Sequence, residues 1–342
     1  MSLIPVTILT GFLGSGKTTL LKRILTEAHG HKIAVIENEF GEENIDSDIL
    51  VSSTTENIIQ MSNGCVCCTI RDDLRVTLQD LAEKKRKGEI TFDRVVIETT
   101  GLADPGPVAQ TFFMDEEIAE QYLLDSILTL VDAKHAQSQL TERLEARRQI
   151  GFADQIFISK SDLVAKDEVD ALMHRIKHMN PRAPQKTVHF GEVAIADVFD
   201  LRGFNLNARL DIDPDFLKDD NAIDPENLGP FLGANNSHKH HVHDDDVKSF
   251  VFKSDKYFDA AKLEDFLGAI VNIYGPRMLR YKGVLNMKGT ERKVIFQGVH
   301  QLMGSDLGPI WAKDEKRTSK MVFIGINLPK DIFLQGMEQC LV

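Results

Sequence analysis

Short apolar runs alternate with segments of helical periodicity along the first half of the chain. Residues 5–10, PVTILT, are apolar and rich in β-branched side chains, which predicts a buried strand. Residues 17–28 follow with apolar side chains at helical spacing, and the predicted inner face carries Leu20, Leu21, Ile24 and Leu25. Further buried strands, each trailed by a helical segment, are predicted at 32–40, 93–99, 126–133 and 153–162. Strands that are buried on both faces and separated by helices predict a parallel α/β sheet, with functional loops at the carboxyl ends of the strands.

The pattern changes after this alternating region. Residues 205–246 are acidic, rich in Pro, Asn and Gly, and without periodicity, which predicts a solvated linker. Beyond it, a helix is predicted near 260–273, and strands are predicted at 282–287, 293–302 and 320–328. We therefore predict a parallel-sheet α/β domain at 1–204 and a smaller α+β domain at 247–342.

Composition narrows the classes of partner. The chain has 342 residues, of which 42% are hydrophobic and 27% charged, and its formal net charge is −12. A broad nucleic-acid footprint or an anionic membrane surface requires a basic face, so both are excluded as expected partners. The apolar N-terminus is interrupted by glycines and Lys17, so we expect neither a signal peptide nor a membrane span. The expected location is the cytoplasm, where clustered cysteines bind metal or do chemistry more often than they form disulfides.

A glycine-rich segment follows the first predicted strand. Residues 11–18, GFLGSGKT, match the phosphate-loop pattern G-x-x-x-x-G-K-[ST] between a strand and a helix. The backbone N–H groups of such a loop, with the positive end of the helix dipole, bind phosphate oxygens. Lys17 would reach the β and γ phosphates, and Thr18 would bind Mg²⁺ through its hydroxyl. The predicted phosphate-binding residues are Gly11, Gly14, Ser15, Gly16, Lys17, Thr18 and Thr19.

A second motif, SKSD at 159–162, ends a predicted strand of the same domain. The Asp162 carboxylate can accept two parallel hydrogen bonds from guanine N1–H and N2–H, a pair of donors that adenine lacks. The Lys160 stem would pack over the base, so GTP is the predicted nucleotide. Ser159 stands where related motifs usually have Asn, which leaves one supporting hydrogen bond open.

The strand predicted at 93–99 ends in an acidic residue followed by a glycine. Glu98 would face the γ-phosphate and Mg²⁺, and the Gly101 N–H would sense the γ-phosphate. The alternative is an acidic residue that only caps a strand end. The predicted catalytic residues are Lys17, Glu98 and Gly101.

Three of the four cysteines lie in one short segment, NGCVCC, between a predicted strand and a predicted helix that begins near Arg71. Three thiolates suit Zn²⁺, Co²⁺ or Cu⁺, but a tetrahedral site needs a fourth donor, for which the acidic residues at 37–43 are the nearest candidates. Buried small side chains and a redox pair remain alternatives for the cysteines, and solvated loop charges for the acids. The predicted transition-metal ligands are Cys65, Cys67, Cys68, Glu37 and Glu42, with Glu39 predicted for magnesium.

The predicted linker contains the tract SHKHHVHDDD. Neutral imidazoles in such a segment can bind Zn²⁺, Ni²⁺ or Co²⁺ loosely and pass the ion on. The alternative is a solvated low-complexity run. The predicted low-affinity ligands are His238, His240, His241 and His243.

The motifs GFLGSGKTTLL, ENEFGE, NGCVCC, ETTGLADPGP and SKSD, in this order, resemble those of the CobW-type GTPases, metal chaperones related to the GTPases of nickel-enzyme and urease maturation. The resemblance covers essentially the whole chain. It implies a P-loop GTPase fold and slow GTP hydrolysis coupled to the delivery of a transition metal, most often zinc. The implied cofactors are GTP/GDP, Mg²⁺ and Zn²⁺, with Co²⁺ or Ni²⁺ as alternatives to zinc.

The resemblance and the motifs together predict that GTP and Mg²⁺ order the acidic segment against the cysteine loop. The implied partner is a client metalloprotein of unknown identity, and a nucleotide- or metal-dependent homodimer is a further expectation. Two other functions remain open at this point: a P-loop kinase for a small metabolite, and a nucleotide-gated scaffold whose cysteines are structural.

Overall fold

The computed structural model describes residues 3–26, 30–37, 59–62, 70–204 and 245–342. Strands of the first sheet are β1 (Ile4–Gly11), β2 (Ile33–Glu37), β3 (Ile59–Ser62), β4 (Arg94–Glu98), β5 (Tyr122–Asp132), β6 (Gln155–Ser159) and β7 (Gln185–Val188). Within the described ranges, these seven strands lie in the order β3-β2-β4-β1-β5-β6-β7, and every neighbouring pair is parallel. Their carboxyl ends therefore lie along one edge of the sheet.

Helices follow the strands, as the alternating pattern predicts. They are α1 (Lys17–Thr26), α2 (Ile70–Lys87), α3 (Pro105–Met114), α4 (Glu116–Ala119), α5 (Ala136–Glu142), α6 (Leu144–Phe152) and α7 (Lys166–Met179). The predicted inner face of α1 is buried, because its four leucine and isoleucine side chains pack against residues such as Leu9 and Phe157 of the sheet. Asp104 caps α3 by accepting a hydrogen bond from the Gly106 N–H. The predicted parallel α/β sheet is confirmed.

A second sheet is built from the C-terminal residues. Its strands are β8 (Val247–Ser254), β9 (Met278–Leu285), β10 (Arg292–Val299), β11 (Leu302–Ile310) and β12 (Ser319–Ile326), accompanied by helices α8 (Ala260–Tyr274) and α9 (Lys330–Gln339). The order is β11-β10-β9-β12-β8, with antiparallel neighbours. Phe323 packs against the rings of Phe250 and Phe333, at centroid distances of 5.3 and 5.1 Å, within an apolar cluster that includes both helices. The predicted α+β class of this region is confirmed.

One predicted strand of this region is wrong in its extent. The apolar run at 293–302 is not a single strand, because His300 has a left-handed backbone (φ 54°) and the chain reverses there between β10 and β11. The alternation of apolar residues continues through the turn, so the pattern hid it. β11 itself was not predicted, since most of its side chains are exposed and its sequence is rich in Gly, Ser and Asp.

Trp311, which follows β11, is buried. The Lys293 ammonium lies 4.9 Å from the centroid of its ring. These observations give the indole a packing role in the second sheet.

The residues divide into two compact units. The first contains Met1–Leu172 and Ala183–Gly203, and the second contains Met173–Arg182 and Phe204–Val342. The division therefore falls within α7, which the sequence pattern did not suggest. None of the helices in the described part of the chain combines the length and the apolar character that crossing a bilayer requires.

Candidate functional site

The glycine-rich segment joins β1 to α1 at the carboxyl edge of the first sheet. β1 ends at Gly11 and α1 begins at Lys17. Gly11 has φ +147°, and a Cβ at this position would lie 2.4 Å from the Leu130 carbonyl oxygen of the neighbouring strand. The position thus requires glycine, because the loop leaves the sheet in direct contact with β5. This is the strand–loop–helix context that a phosphate loop needs.

Lys17 is buried against its own loop. Its Nζ donates hydrogen bonds to the carbonyl oxygens of Gly11 (2.9 Å) and Phe12 (3.4 Å). Burial lowers the pKa of Lys17, and the carboxylate of Glu98 opposes that shift. The side chain therefore brings a cationic group, stabilised by a nearby carboxylate, to the loop that is expected to bind phosphates.

Thr18 and Glu98 meet although they are far apart in sequence. The Thr18 hydroxyl donates a hydrogen bond of 3.1 Å to Glu98 Oε1. Glu98 ends β4, and its neighbours in register are Leu9 on β1 and Glu37 on β2. Thr18 and Glu98, both predicted to lie near magnesium, thus bring two potential oxygen ligands into contact at the phosphate loop.

Gly101 contacts the other side of the phosphate loop. A Cβ on Gly101 would lie 2.6 Å from the Leu13 backbone nitrogen and equally close to its side chain. Gln149 Nε2 fixes this segment by donating to the carbonyl oxygens of Gly101 (3.2 Å) and Ala103 (3.0 Å). The loop after β4 therefore contacts the backbone of the phosphate loop, so a displacement of one segment would displace the other.

The segment after Gly101 is held by ion pairing as well. Asp104, which caps α3, also accepts a hydrogen bond of 2.7 Å from Arg148 of α6. Asp104 belongs to the motif ETTGLADPGP, and its contacts give this position of the motif a structural role. The sequence did not identify Gln149 or Arg148 as supporting residues, because neither lies in a motif.

The SKSD segment is tied to the phosphate loop by two hydrogen bonds. Ser159 Oγ donates to the Ser15 carbonyl oxygen at 2.7 Å, and Lys160 Nζ donates to the Gly14 carbonyl oxygen at 2.7 Å. Lys160 has a left-handed backbone (φ 55°), and its ammonium also pairs with the buried Asp132 carboxylate at 2.7 Å. The hydrogen bond left open at Ser159 is therefore present: serine supplies a link to the phosphate loop.

Asp162 remains available at the surface beside a loop that the sequence analysis overlooked. Its side chain is 46% exposed, and Oδ1 lies 3.5 Å from His189 Nδ1. Phe190, the next residue, is 75% exposed, and a Cβ on Gly191 would lie 3.2 Å from the Thr19 carbonyl oxygen of α1. The loop after β7 thus lies next to both Asp162 and the start of α1. The only signal in the sequence was an aromatic residue and a glycine following a strand.

The strand that precedes the cysteine segment in the sequence, β3, ends at the same carboxyl edge. In register, Ser62 at the end of β3 is the neighbour of Glu37, and Glu37 is the neighbour of Glu98. Ser62 precedes Cys65 by three residues in the sequence. Predicted ligands outside the described residues are Cys65, Cys67, Cys68, Glu39, Glu42, His238, His240, His241 and His243.

Among the residues that the structure does describe, no group of three or more His, Cys, Asp or Glu side chains is arranged to hold a metal ion. Cys340, the fourth cysteine, is a buried free thiol in the second unit, and burial raises its pKa. It is therefore a poor metal ligand, as its isolation in the sequence suggested.

Comparison with known families decides the assignment. The model of the CobW/HypB/UreG nucleotide-binding domain matches residues 5–187, and the model of the cobalamin synthesis protein CobW C-terminal domain matches residues 247–341. The chain belongs to the CobW family. The predictions of a CobW-type P-loop GTPase and of its fold class are confirmed by these matches.

Individual members of the CobW family resemble the chain over nearly its whole length. The zinc chaperone YjiA of Escherichia coli is 40% identical over 331 residues, covering 97% of this chain and 96% of that protein. The zinc-regulated GTPase metalloprotein activator 1 of Dictyostelium discoideum is 31% identical, covering 99% of this chain and 80% of that protein. The crystal structure of Zn(II)-bound YjiA GTPase from E. coli superposes with a TM-score of 0.77 at 36% identity, covering all of both chains.

Proposed function

We propose that this CobW-family chain is a GTP-hydrolysing metal chaperone. It binds a transition metal, zinc in the first instance, at Cys65, Cys67 and Cys68 and delivers it to a client protein under nucleotide control. Relatives that cover nearly the full length are named as zinc chaperones and as zinc-regulated GTPases, which supports both halves of the proposal. The predicted domains at 1–204 and 247–342, and the linker between them, stay part of it.

The nucleotide half of the proposal uses the residues gathered at the phosphate loop. Backbone N–H groups between Gly11 and Thr18 would bind the phosphates, with Lys17 supplying positive charge. Asp162, exposed near α1, would select guanine by accepting hydrogen bonds from its N1–H and N2–H groups. The hydrogen bonds from Ser159 and Lys160 to the phosphate loop would fix the position of the base-binding segment relative to the phosphate-binding segment.

Magnesium accompanies the triphosphate in P-loop GTPases, where it neutralises charge that develops on the phosphate oxygens. Thr18 Oγ1 and Glu98 Oε1 fit such an ion, because they are oxygen donors in contact at the phosphate loop. These two residues would hold it, directly or through water, with Glu39 as a further proposed ligand. Gly101 and Glu98 would then orient the attacking water, while the buried Lys17 provides the fixed positive charge.

The metal half of the proposal treats zinc as cargo. Three thiolates and a carboxylate from Glu37 or Glu42 provide a tetrahedral donor set for Zn²⁺. Such a set with a carboxylate on a nucleotide-sensitive segment would release the ion more readily than a closed four-cysteine site. The histidine tract at 238–243 would collect metal at low affinity.

One observation carries the coupling between the two halves. Ser62, Glu37 and Glu98 are register neighbours at the ends of three adjacent strands, and Glu98 is hydrogen-bonded to Thr18 of the phosphate loop. Ser62, three residues before Cys65 in the sequence, therefore lies two strands away from Glu98. If nucleotide exchange displaced Glu98 at the end of β4, the displacement would be transmitted through Glu37 at the end of β2 to Ser62 at the end of β3.

The test compares zinc content and GTP turnover in three full-length proteins. We expect wild type and Cys340→Ala, which removes a buried thiol outside the motif, to bind zinc and to change their turnover when zinc is added. Cys67→Ala should lose tight zinc binding and the zinc effect while it still hydrolyses GTP. Identical zinc content and turnover in all three proteins would refute the proposal.

A nucleotide competition experiment separates this function from the kinase alternative. GTP hydrolysis by the full chain is measured in the presence of rising ATP. We expect no competition at equimolar ATP, because adenine lacks the two donors that Asp162 requires. Efficient competition by ATP would instead favour a small-metabolite kinase.

A further inference from the structure

Two histidines lie one helical turn apart on α7, outside every motif described above. His174 and His178 are spaced i, i+4 in the part of the helix that belongs to the second unit. Their Nε2 atoms are 3.1 Å apart, and their rings meet at 77° with centroids 4.6 Å apart. Both nitrogens thus lie close together beside the helix, and two histidines at this spacing can bind one metal ion together.

The separation of the two nitrogens matches that of ligands around one ion. A Zn–N bond of about 2.0–2.1 Å gives two nitrogens about 2.9 Å apart at a right angle and about 3.3 Å apart at the tetrahedral angle. The observed 3.1 Å lies between these values. A metal ion can therefore bind both imidazoles with little movement of either ring.

The helix beneath the pair is fixed by neighbours in the same unit. Arg175 forms a two-pronged ion pair with Asp245, with Nε–Oδ2 and Nη2–Oδ1 distances of 2.9 and 2.6 Å. Ser249 Oγ donates a hydrogen bond of 3.1 Å to the His178 carbonyl oxygen. The helix that carries the pair is thus held at two points by residues 245–249, and a preorganised chelate binds more tightly than a mobile one.

The surroundings of His178 favour the neutral form of its ring. Burial and the neighbouring His174 lower the pKa of His178, while Asp245 opposes the shift. Neutral imidazole is the ligand that Zn²⁺, Co²⁺ and Ni²⁺ prefer.

We propose that His174 and His178 form a second transition-metal site, a two-histidine chelate on α7 whose remaining positions are filled by water. Its donors are imidazoles alone, so it is open, exchangeable and weaker than a site with three thiolates. The ion is of the Zn²⁺, Co²⁺ or Ni²⁺ class. This site goes beyond the proposed chaperone function, because it lies in the unit that does not contain the phosphate loop.

The test isolates this pair from the other metal-binding groups of the full-length chain. In a background protein, the three clustered cysteines are replaced by serine and the four tract histidines by alanine, since the last of these histidines, His243, lies two residues before Asp245 in the sequence. Equilibrium dialysis with Zn²⁺ alone then counts the bound ions. We expect about one zinc per chain, at least tenfold weaker binding in His178→Ala, and no change in His135→Ala. His135 is an exposed histidine whose side chain does not cap its helix.

Two results would overturn the site: a background protein that binds no zinc, or zinc binding that His178→Ala leaves intact. Either result would reduce the pair to a hydrogen bond between two imidazoles. If His178→Ala does not fold, as judged by circular dichroism, His174→Gln takes its place. Zinc-edge anomalous diffraction from crystals of the background protein provides a second measurement. A peak within bonding distance of both Nε2 atoms supports the site, and the absence of a peak there refutes it.

Discussion

At the scale of single residues, the candidate nucleotide site depends on close backbone contacts as much as on charged side chains. Gly101 places its backbone against Leu13, and the two charged residues of the loop region, Lys17 and Glu98, lie beside that contact. A methyl group at Gly101 would push the phosphate loop away from the segment after β4. The contact is therefore sensitive to the smallest possible substitution.

Gly101→Ala is expected to impair both activity and stability. The new Cβ would meet the Leu13 backbone nitrogen at 2.6 Å, and overpacking of this kind costs about 1–3 kcal/mol of the free energy of unfolding. We expect a lower melting temperature and a fall in kcat for GTP of about tenfold, which corresponds to about 1.4 kcal/mol. Gly268→Ala on α8 is the matched control, because a Cβ there meets nothing within 4 Å. Equal behaviour of the two variants would contradict the contact.

Asp162→Asn tests base selection at the exposed end of the site. The amide presents a donor where the carboxylate accepted, so the pair of hydrogen bonds to guanine is lost. We expect KM for GTP to rise by about 10- to 100-fold, which corresponds to about 1.4–2.7 kcal/mol. Xanthosine triphosphate, which carries a carbonyl in place of the N2 amine, should become the better substrate. A variant that keeps wild-type KM for GTP would show that Asp162 does not read the base.

At the scale of secondary-structure elements, the ends of β4 and β6 are both attached to the phosphate loop. Glu98 binds Thr18 from one side, and Ser159 and Lys160 bind the carbonyl groups of Ser15 and Gly14 from the other. Because parallel strands end at one edge, these attachments all come from one row of strand ends. The sheet thereby fixes the loop from both directions.

Ser159→Ala is expected to loosen this attachment. The buried Ser15 carbonyl loses the hydroxyl that donates to it, and an unsatisfied buried acceptor costs about 1–3 kcal/mol of the free energy of unfolding. Chemical denaturation should show this loss, together with a several-fold rise in KM for GTP. Ser138→Ala, which removes an exposed hydroxyl bonded within its own helical turn, should change neither quantity. A stability loss of the same size in both variants would rule out a specific role for Ser159.

The elements that the sequence predicted well are those with strong periodicity. The buried strands and α1 have unbroken apolar patterns, and the phosphate loop has a spacing that few other structures share. The turn at His300 and the exposed strand β11 were not predicted, since alternation crosses the turn and an exposed strand has no apolar face. The pattern of apolar residues indicates which positions are buried. It therefore cannot predict the turn at His300 or the largely exposed strand β11.

Within the candidate site, the sequence predicted residues that belong to motifs and missed those that support them. Asp132 ends a strand, Gln149 lies on a helix and His189 lies in a loop, and all three become adjacent to the site only after folding. Each acts through a partner distant in sequence, which no local spacing reveals. Ser159 is the reverse case: an apparent departure from a motif proved to supply a hydrogen bond.

At the scale of the whole molecule, the chain combines a parallel-sheet unit with a second, antiparallel unit, and each is proposed to bind metal differently. Ser62, which precedes Cys65 by three residues in the sequence, ends β3 at the carboxyl edge of the first sheet, in the row of strand ends that leads to Glu98. The histidine pair lies on the part of α7 assigned to the second unit. A thiolate site coupled to GTP and a weaker imidazole site would give the molecule one controlled and one exchangeable position for the same class of ion.

Control of the thiolate site by nucleotide is the central claim, and it requires a coupling free energy between the two sites. Couplings between sites in proteins are typically about 1–3 kcal/mol, or about 5- to 150-fold in affinity. The most direct measurement is the dissociation constant of zinc for the full-length protein, determined with a non-hydrolysable GTP analogue and again with GDP. We expect the two constants to differ by about fivefold or more in wild type and in Cys340→Ala, and the difference to vanish in Cys67→Ala. Equal zinc affinities of the wild-type protein in the two nucleotide states would contradict the coupling.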